Sequence, residues 1–452
     1  MTATLDKFSR IAALKPVLAR SAASLSASLS PPDKEDPIAQ LIGAQVATNR
    51  FGEHLSVSNW FSTPEFVEPV PTSLALLSHM RDEALSRRAR TALSDPTKWL
   101  FLDTETTGLA GGTGTYAFLV GLAWWDAGGL QVEQFFMRDF AEEHSLLHEL
   151  AARISQRPVL VTFNGKSFDW PLLENRFTMT RAIAVPRLAA HLDLLHPARA
   201  VWKLRLGSVR LVELERHVLD APRLGWRRDD DIASALIPQF YFDYLRGGSS
   251  RPLVGVVRHN QMDLRGLAAL YAKMNSLLGQ DSPSSDEVPS LDLFGLSRFL
   301  LRRGEPDRAQ SACVQSINLG LPCDVHARAR RELAQMAKRR GDHERAATLW
   351  HEIISDPVEG IHACEQLALY YERQRKNPVR AAEYANLALA KLRRSRPHVR
   401  DPFASARVSL SETRLLRRIA RLERKLASST EALKAPLLSA AKHTPPNTAK
   451  NR

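Results

Sequence analysis

The chain has 452 residues, of which 44% are hydrophobic, and a formal net charge of +13 at neutral pH. This composition is that of a soluble globular protein of two or three domains, and it excludes collagen-like and wholly disordered chains. With three cysteines and no run of about 18 apolar residues, the sequence predicts neither a disulfide scaffold nor a membrane span. A reducing, cytoplasmic location is therefore expected, and the N-terminus lacks the apolar core of a signal peptide.

The excess positive charge is concentrated towards the C-terminal end. Residues 1–291 carry 31 basic and 32 acidic side chains, whereas residues 292–452 carry 31 basic and 17 acidic ones. Such an asymmetry is typical of a surface that binds polyanions, including nucleic acid. A solvated basic face that maintains solubility explains the same charge equally well.

The first part of the chain has weak structural signals. Residues 1–45 are rich in Ala, Ser and Leu without a sustained period, and predict a mobile N-terminal arm. Residues 46–97 are interpreted as a small accessory segment. Within it, the alternating stretch 46–62 predicts a strand pair, and a helix is expected near residues 73–91.

From Lys98 onward, predicted strands alternate with predicted helices. The apolar run Trp99–Leu102 is typical of a strand buried on both faces. Further strands are predicted over residues 116–125, 130–137, 159–163 and 191–195, with helices near 142–155, from Ser167, and over most of 205–275. An initial meander followed by this alternation predicts an α/β domain, a mixed sheet flanked by helices, over residues 98–279.

A linker rich in Ser, Pro and Asp, residues 280–290, precedes a helical repeat. Three Arg-Ala pairs, each near the start of a predicted helix, recur at intervals of 37 and 35 residues, at Ala309, Ala346 and Ala381. A period near 34 with paired helices resembles the tetratricopeptide repeats. We therefore predict an all-α repeat domain with a basic capping helix over residues 291–427, and a disordered tail over residues 428–452.

The residues that indicate chemistry are acids at the ends of predicted elements. Asp103 and Glu105 follow the buried run Trp99–Leu102, and their spacing of two places them on one face of a strand. Two such carboxylates repel each other unless a cation lies between them, and their oxygens suit Mg²⁺ or Mn²⁺. A pair of solvated acids at a strand end is the ordinary alternative.

Two further positions carry candidate site residues. Asp169 lies in the first turn of a predicted helix, where an acid also interacts favourably with the helix dipole. His259 and Asp263 lie one turn apart on a later helix, which is also the spacing of a surface ion pair. Each position alone favours a structural role, whereas four carboxylates in this order favour a common site.

Longer motifs carry a family resemblance. The string from Asp103 to Tyr116, which reads Asp-Thr-Glu-Thr-Thr-Gly-Leu-Ala-Gly-Gly-Thr-Gly-Thr-Tyr, resembles the YprB-type ribonuclease-H-like proteins of the DnaQ-like DEDD exonuclease superfamily. The same holds for Asn164–Asp169, Asp193–Pro197, Ile237-Pro238 and His259-Asn260. The resemblance covers residues 98–275 and implies a ribonuclease-H-like fold and a nuclease, specifically a 3′–5′ exonuclease acting on ends of single-stranded DNA or RNA.

The resemblance also implies a mechanism, in which two divalent ions, Mg²⁺ or Mn²⁺, clamp the attacking and leaving oxygens of a phosphodiester. By the same resemblance, Asp103 bridges both ions, Glu105 and Asp263 complete one site, and Asp169 helps to hold the second ion. His259 is implied as the general base. Its three-residue separation from Asp263 is that of the Tyr-containing DEDD enzymes, which turns the imidazole by about 100° on the helix.

Two alternatives to an exonuclease follow from the same features. The helical repeats favour a non-catalytic scaffold that binds a nucleic-acid or protein partner, and internal cleavage of RNA in hybrids would use the same fold with a different order of acids. For the other candidate residues the sequence favours structural roles. Phe168 is predicted in the core, Asp193 as structural, and Asp229-Asp230-Asp231 as a solvated helix start.

Overall fold

The structure is a computed structural model that describes residues 38–62, 92, 95–108, 114–126, 128–221, 228, 231–279, 288–395 and 402–440, with backbone alone at 402–407 and 429–440. Outside the described residues lie most of the predicted arm, the predicted helix near 73–91, residues 109–113 of the glycine-rich stretch, most of the predicted linker, and residues 441–452. The chain divides into two compact units. The first comprises residues 1–197 and 208–279, and the second residues 198–207 and 280–452.

The first unit contains one mixed sheet, in which seven strands of the described residues follow the order β1-β2-β5-β4-β3-β6-β7. The strands are β1 Gln45–Asn49, β2 Gly52–Phe61, β3 Trp99–Thr106, β4 Ala117–Asp126, β5 Gly129–Phe136, β6 Val159–Thr162 and β7 Ala190–Asp193. Strand β3 pairs antiparallel with β4 and parallel with β6, which pairs parallel with β7. This mixed sheet with flanking helices confirms the predicted α/β class.

The strand pair β1–β2 lies where the alternating pattern predicted it, but it extends the main sheet and is not an accessory element. Residues Leu55–Phe61 of β2 pair antiparallel with Leu130–Phe136 of β5, and Leu55 and Val57 are buried in the core. A period of two reveals which face of a strand is apolar and does not reveal which strand lies beside it. The sequence pattern therefore predicted the β1–β2 pair but did not predict that β2 pairs with β5.

The helices along residues 38–279 are α1 Ile38–Leu41, α2 Glu143–Gln156, α3 Asp169–Thr180, α4 Leu195–Leu206, α5 Leu211–His217, α6 Ile237–Leu245 and α7 Arg251–Gly279. Helix α7 packs against β3, β4 and β5. It does so because residues three or four positions apart, among them Leu253, Val256, Leu264 and Leu267, are buried. Gly121 of β4 permits this contact, since a Cβ there would overlap the side chains of Asn260 and Leu264.

The second unit is helical, with α8 Ser290–Arg302, α9 Pro306–Asn318, α10 Cys323–Arg339, α11 His343–Glu352, α12 Glu359–Arg373, α13 Pro378–Ser395 and α14 Pro402–Ala440. Helices α8 to α13 form three consecutive pairs. The alanines of the Arg-Ala repeat, Ala309, Ala346 and Ala381, each lie near the start of the second helix of a pair and are fully buried. Small side chains at these positions allow the paired helices to approach closely.

Helix α14 corrects the predicted C-terminal boundary. Disorder was predicted from residue 428, whereas the helix continues to Ala440. Residues 429–440 include Ala, Leu, Glu and Lys, which have high helix propensity and extend the basic helix before them. Across the part of the chain that the structure describes, no helix is both long and apolar enough to cross a membrane.

Candidate active site

Strand β3 supplies the first two acids. Trp99, Leu100, Phe101 and Leu102 are fully buried or nearly so, and the following residues of the strand are partly exposed. Asp103 and Glu105 therefore lie where the buried strand reaches a solvent-accessible edge of the core. Asp103 pairs with Gly121 of β4 in the sheet register, which places it opposite the glycine that admits α7.

Asp169 begins helix α3, as the sequence predicted, and is tied to β3. The Thr104 hydroxyl donates a hydrogen bond to Asp169 Oδ1 at 2.5 Å. The loop that precedes α3 is braced by Asp193, which accepts hydrogen bonds from the backbone N–H groups of Asn164 at 2.8 Å and Lys166 at 3.2 Å. Asp193 thus has the structural role that the sequence favoured, and it supports a turn in which Asn164 has a left-handed φ of 68°.

Asn260 of α7 fixes the position of Asp103. Its Nδ2 donates to Asp103 Oδ2 at 2.8 Å, and its Oδ1 accepts from Gln134 Nε2 at 2.8 Å. Gln134 also donates to the backbone oxygen of Val257 at 2.9 Å, and both amide side chains are fully buried. Sequence reasoning assigned Gln134 no role, although a glutamine within the mostly apolar strand Gly129–Phe136 was a signal that a buried partner exists.

The two ring nitrogens of His259 face different carboxylates. Its Nδ1 lies 2.7 Å from Asp231 Oδ1. Its Nε2 lies 4.0 Å from Glu105 Oε1 and 3.7 Å from Asp263 Oδ2. The imidazole therefore lies between Asp231 on one side and Glu105 of β3 and Asp263 of α7 on the other.

Arg228 is the second cation of the site and was not predicted. Its Nη2 donates to Asp263 Oδ1 at 2.5 Å and to Glu215 Oε1 at 2.6 Å, and its Nη1 donates to Asp231 Oδ2 at 2.9 Å. Asp231 is consequently bound between Arg228 and His259, so its interpretation as a solvated helix start is wrong. Asp229 and Asp230 lie outside the described residues.

Comparison with known proteins identifies the family of the chain. A family model described as the RNase_H superfamily matches residues 100–275. The uncharacterized protein YprB of Bacillus subtilis (strain 168) is 31% identical over 333 residues, which cover 73% of this chain and 75% of that protein. This chain belongs to the YprB family of the RNase H superfamily. Membership indicates a nuclease, a class that binds nucleic acid and usually uses divalent metal ions. The DEDD subdivision and the tetratricopeptide assignment of the helical unit stay predictions.

In this RNase H domain, the charges of the other three predicted acids all act on Asp103. Burial, together with the charges of Asp263, Asp169 and Glu105, raises the pKa of Asp103 well above its usual value. Burial also raises the pKa of Glu105 to about 8 against the opposing charge of His259, and that of Asp169 to about 6 against the hydrogen bond from Thr104. Burial is the largest cause of each shift, and repulsion from the other site acids adds to it for Asp103 and Glu105.

The two cations partly compensate this charge. Burial alone would lower the pKa of His259, but its hydrogen bond to Asp231 and the charges of Asp263 and Glu105 raise it to about 9. The pKa of Arg228 is likewise raised, because Asp263 and Glu215 outweigh its burial. Conversely, His259 and Arg228 lower the pKa of Asp231 to about 2, although its partial burial acts in the opposite direction.

The four predicted acids carry the kind of ligand atom that binds a hard divalent cation. Asp103, Glu105, Asp169 and Asp263 offer carboxylate oxygens, the ligands that Mg²⁺ and Mn²⁺ prefer, and a cation would relieve their mutual repulsion. In the described residues, however, no group of three or more Asp, Glu, His or Cys side chains is arranged to hold an ion. Asp263 is paired with Arg228 instead.

A cavity of about 340 Å³ adjoins the acids on the side of Asp169. Its lining consists of polar and apolar side chains of β3, its following loop and α3: Thr104, Thr106, Gly108, Thr115, Ser167, Phe168, Asp169, Pro171, Leu172 and Asn175. Phe168 is 59% exposed. Its predicted core location is therefore wrong, because the phenyl ring at the start of α3 faces the cavity and solvent instead of the sheet.

Proposed function

We propose that this protein is a divalent-metal-dependent exonuclease that hydrolyses phosphodiester bonds from the 3′ end of single-stranded DNA or RNA. The observation that carries the proposal is the convergence of Asp103 and Glu105 from β3, Asp169 from α3 and Asp263 from α7. The raised pKa values of Asp103, Glu105 and Asp169 indicate a site that is electrostatically prepared for added positive charge. The 3′–5′ direction is the one that the DEDD resemblance implies.

In this proposal, Asp103, Glu105 and Asp263 would hold one Mg²⁺ or Mn²⁺ ion, and Asp103 with Asp169 would hold a second. When bound, such ions polarise the phosphoryl oxygen and stabilise developing negative charge. Asn260 keeps the Asp103 carboxylate oriented through its 2.8 Å hydrogen bond. Against its burial, Asp231, Asp263 and Glu105 raise the pKa of His259 to about 9. Bound cations would offset these acids, so that Nε2 accepts the proton of the attacking water.

The cavity beside Asp169 supports action on chain ends. Its volume of about 340 Å³ lies at the lower end of the roughly 300–1,000 Å³ of small-molecule pockets, which suits one terminal nucleotide. The exposed ring of Phe168 offers a face for base stacking, an interaction worth about 1–3 kcal/mol per base.

All three cysteines are free thiols, which agrees with the proposed action in the reducing cytoplasm.

The deciding experiment incubates the full chain with end-labelled single- and double-stranded DNA and RNA, with Mn²⁺, Mg²⁺ or EDTA. A 5′-labelled single strand should shorten in successive steps, and both EDTA and Asp103→Ala should abolish this ladder. Asp243→Ala is the matched control, because Asp243 is an exposed acid of helix α6. Cleavage that survives in Asp103→Ala would contradict the proposal, and binding without cleavage would favour the scaffold alternative.

The helical unit supplies a basic groove for the phosphate backbone. The groove, of about 800 Å³, lies between the end of α12 and α14 and is lined by Glu372, Lys376, Pro378, Arg421, Arg424, Lys425 and Ser428. Glu372 is nearly buried and accepts hydrogen bonds from Arg421 and Lys425, which orders the cations around it. We propose that this surface holds single-stranded nucleic acid.

Removal of two groove charges should weaken binding in a salt-dependent manner. We expect Lys376→Ala with Arg424→Ala to reduce the slope of log affinity against log salt by about 1.4, since each phosphate contact to a single strand contributes about 0.7. These substitutions leave the contacts of Glu372 with Arg421 and Lys425 in place. Fluorescence anisotropy with a labelled oligonucleotide measures the slope. The double variant Arg339→Ala with Arg345→Ala has the same net charge, and an equal loss of slope there would contradict a specific groove.

A further inference from the structure

The contact between Asp231 and His259 is tertiary and close. The two residues are 28 positions apart, and Asp231 Oδ1 lies 2.7 Å from His259 Nδ1. The exposed fraction of the side chain is 19% for Asp231 and 6% for His259, so water competes little with this hydrogen bond. Asp231 thus engages the ring nitrogen that does not face Glu105 and Asp263.

Asp231 is itself held in one orientation. Arg228 Nη1 donates to Asp231 Oδ2 at 2.9 Å, and the backbone N–H of Ile232 donates to Asp231 Oδ1 at 2.9 Å. Both carboxylate oxygens are therefore engaged. A ring that donates Nδ1–H to a fixed carboxylate cannot rotate freely, and its other nitrogen is directed away from that carboxylate.

The remaining nitrogen, Nε2, faces the acids of the proposed catalytic centre. It lies 3.7 Å from Asp263 Oδ2 and 4.0 Å from Glu105 Oε1, with the Ser234 hydroxyl at 3.4 Å beside them. The three-residue spacing between His259 and Asp263 fixes only where the imidazole leaves helix α7. The direction of Nε2 depends in addition on what Nδ1 binds, and here that partner is Asp231.

We propose that Asp231 is a positioning residue that sets the ring orientation of His259, so that Nε2 faces the reacting water. This inference rests on the proposed nuclease function. A positioning role predicts that the effect of Asp231 on turnover depends on the presence of His259. A purely structural ion pair predicts no such dependence.

A double-mutant cycle tests this dependence in the full chain. We expect Asp231→Ala to lower kcat by about 10- to 100-fold with KM changed less than twofold, which is the usual effect of removing an orienting partner. In the His259→Gln background, the same substitution should lower kcat no further. An equal loss in both backgrounds would overturn the proposal, and Asp243→Ala should leave kcat unchanged.

A second measurement needs no metal and no activity. In the NMR spectrum of the metal-free chain, the His259 Nδ1–H proton should give a far-downfield imidazole signal, identified by its loss in His259→Gln. Asp231→Ala should also remove it, while thermal unfolding shows that the variant is folded. Persistence of the signal in folded Asp231→Ala would overturn the proposal. If wild-type protein cleaves no substrate, the proposed function fails, and this signal still decides whether Asp231 orients His259.

Discussion

Millimolar Mn²⁺ is expected to raise the melting temperature of the wild-type protein by about 5–10 °C, and Asp103→Asn should abolish most of that rise. A ligand at about 100 times its dissociation constant stabilises the folded state by about 2.7 kcal/mol. For a domain of this size, 1 kcal/mol shifts the melting temperature by about 2–4 °C. Asp103 is central to the effect, because the charges of Asp263, Asp169 and Glu105 all act on it.

The same substitution should stabilise the metal-free protein. An asparagine keeps the shape of Asp103 but cannot ionise, so it avoids the free-energy cost of burying an acid beside three others, and the metal-free melting temperature should rise. Differential scanning fluorimetry over a Mn²⁺ titration measures both effects. Asp243→Asn serves as the control and should respond to Mn²⁺ as the wild type does. A wild-type melting temperature that stays constant throughout the titration would refute metal binding at these acids.

Asp103→Asn is thus expected to reduce the stabilisation by Mn²⁺ and to increase the stability of the metal-free protein. Both effects follow from the charge balance of the metal-free site. The acids of the proposed centre, together with Glu215 and Asp231, face the cations Arg228 and His259. Arg228 takes the place of a counter-ion for Asp263, and the raised pKa of Glu215, about 7, reflects burial that Arg228 only partly offsets. Binding of a divalent ion and the guanidinium contact of Asp263 are therefore competing ways to neutralise the same acid.

The sequence predicted those parts of the site that depend on local pattern. A buried run ending at Leu102 predicts a strand that delivers Asp103 and Glu105, and Asp169 is at the start of a helix as expected. The mixed sheet flanked by helices followed from the alternation of strands and helices, and the resemblance implied its RNase H-like fold. These features depend on hydrophobic period and on the order of elements along the chain, which a single sequence contains.

The sequence did not predict the partners that reach the site through tertiary contacts. Arg228 and Asp231 come from a charged stretch whose acids were predicted as a solvated helix start, yet they contact Asp263 and His259. Gln134 lies in β5, 126 residues before Asn260 in the chain, and still orients its side chain. No local period encodes such pairings, because they depend on which strand and helix faces meet. Polar residues in apolar or catalytic contexts are the places where sequence patterns fail most often.

Gly121→Ala should strongly destabilise the domain. A Cβ at this position overlaps Asn260 Oδ1 and the Leu264 side chain, and both belong to the helix that packs on β4. Overpacking of this kind costs about 1–3 kcal/mol. Displacement of Asn260 also disrupts its hydrogen bonds with Gln134 and Asp103, and each buried polar group left without a partner costs about 1–3 kcal/mol more.

Urea denaturation should therefore show a loss of about 3–5 kcal/mol in the unfolding free energy of Gly121→Ala. Gly114→Ala is the matched control, since a Cβ there meets no atom within 4 Å, and it should leave stability nearly unchanged. If overlap with Asn260 is the cause, Asn260→Ala should relieve part of the loss in the double variant, so that the two effects are less than additive. Additive losses would mean that Leu264, and not the amide that holds Asp103, limits how closely β4 and α7 approach. In that case Gly121 would affect only the packing of β4 against α7, and not the hydrogen bond from Asn260 to Asp103.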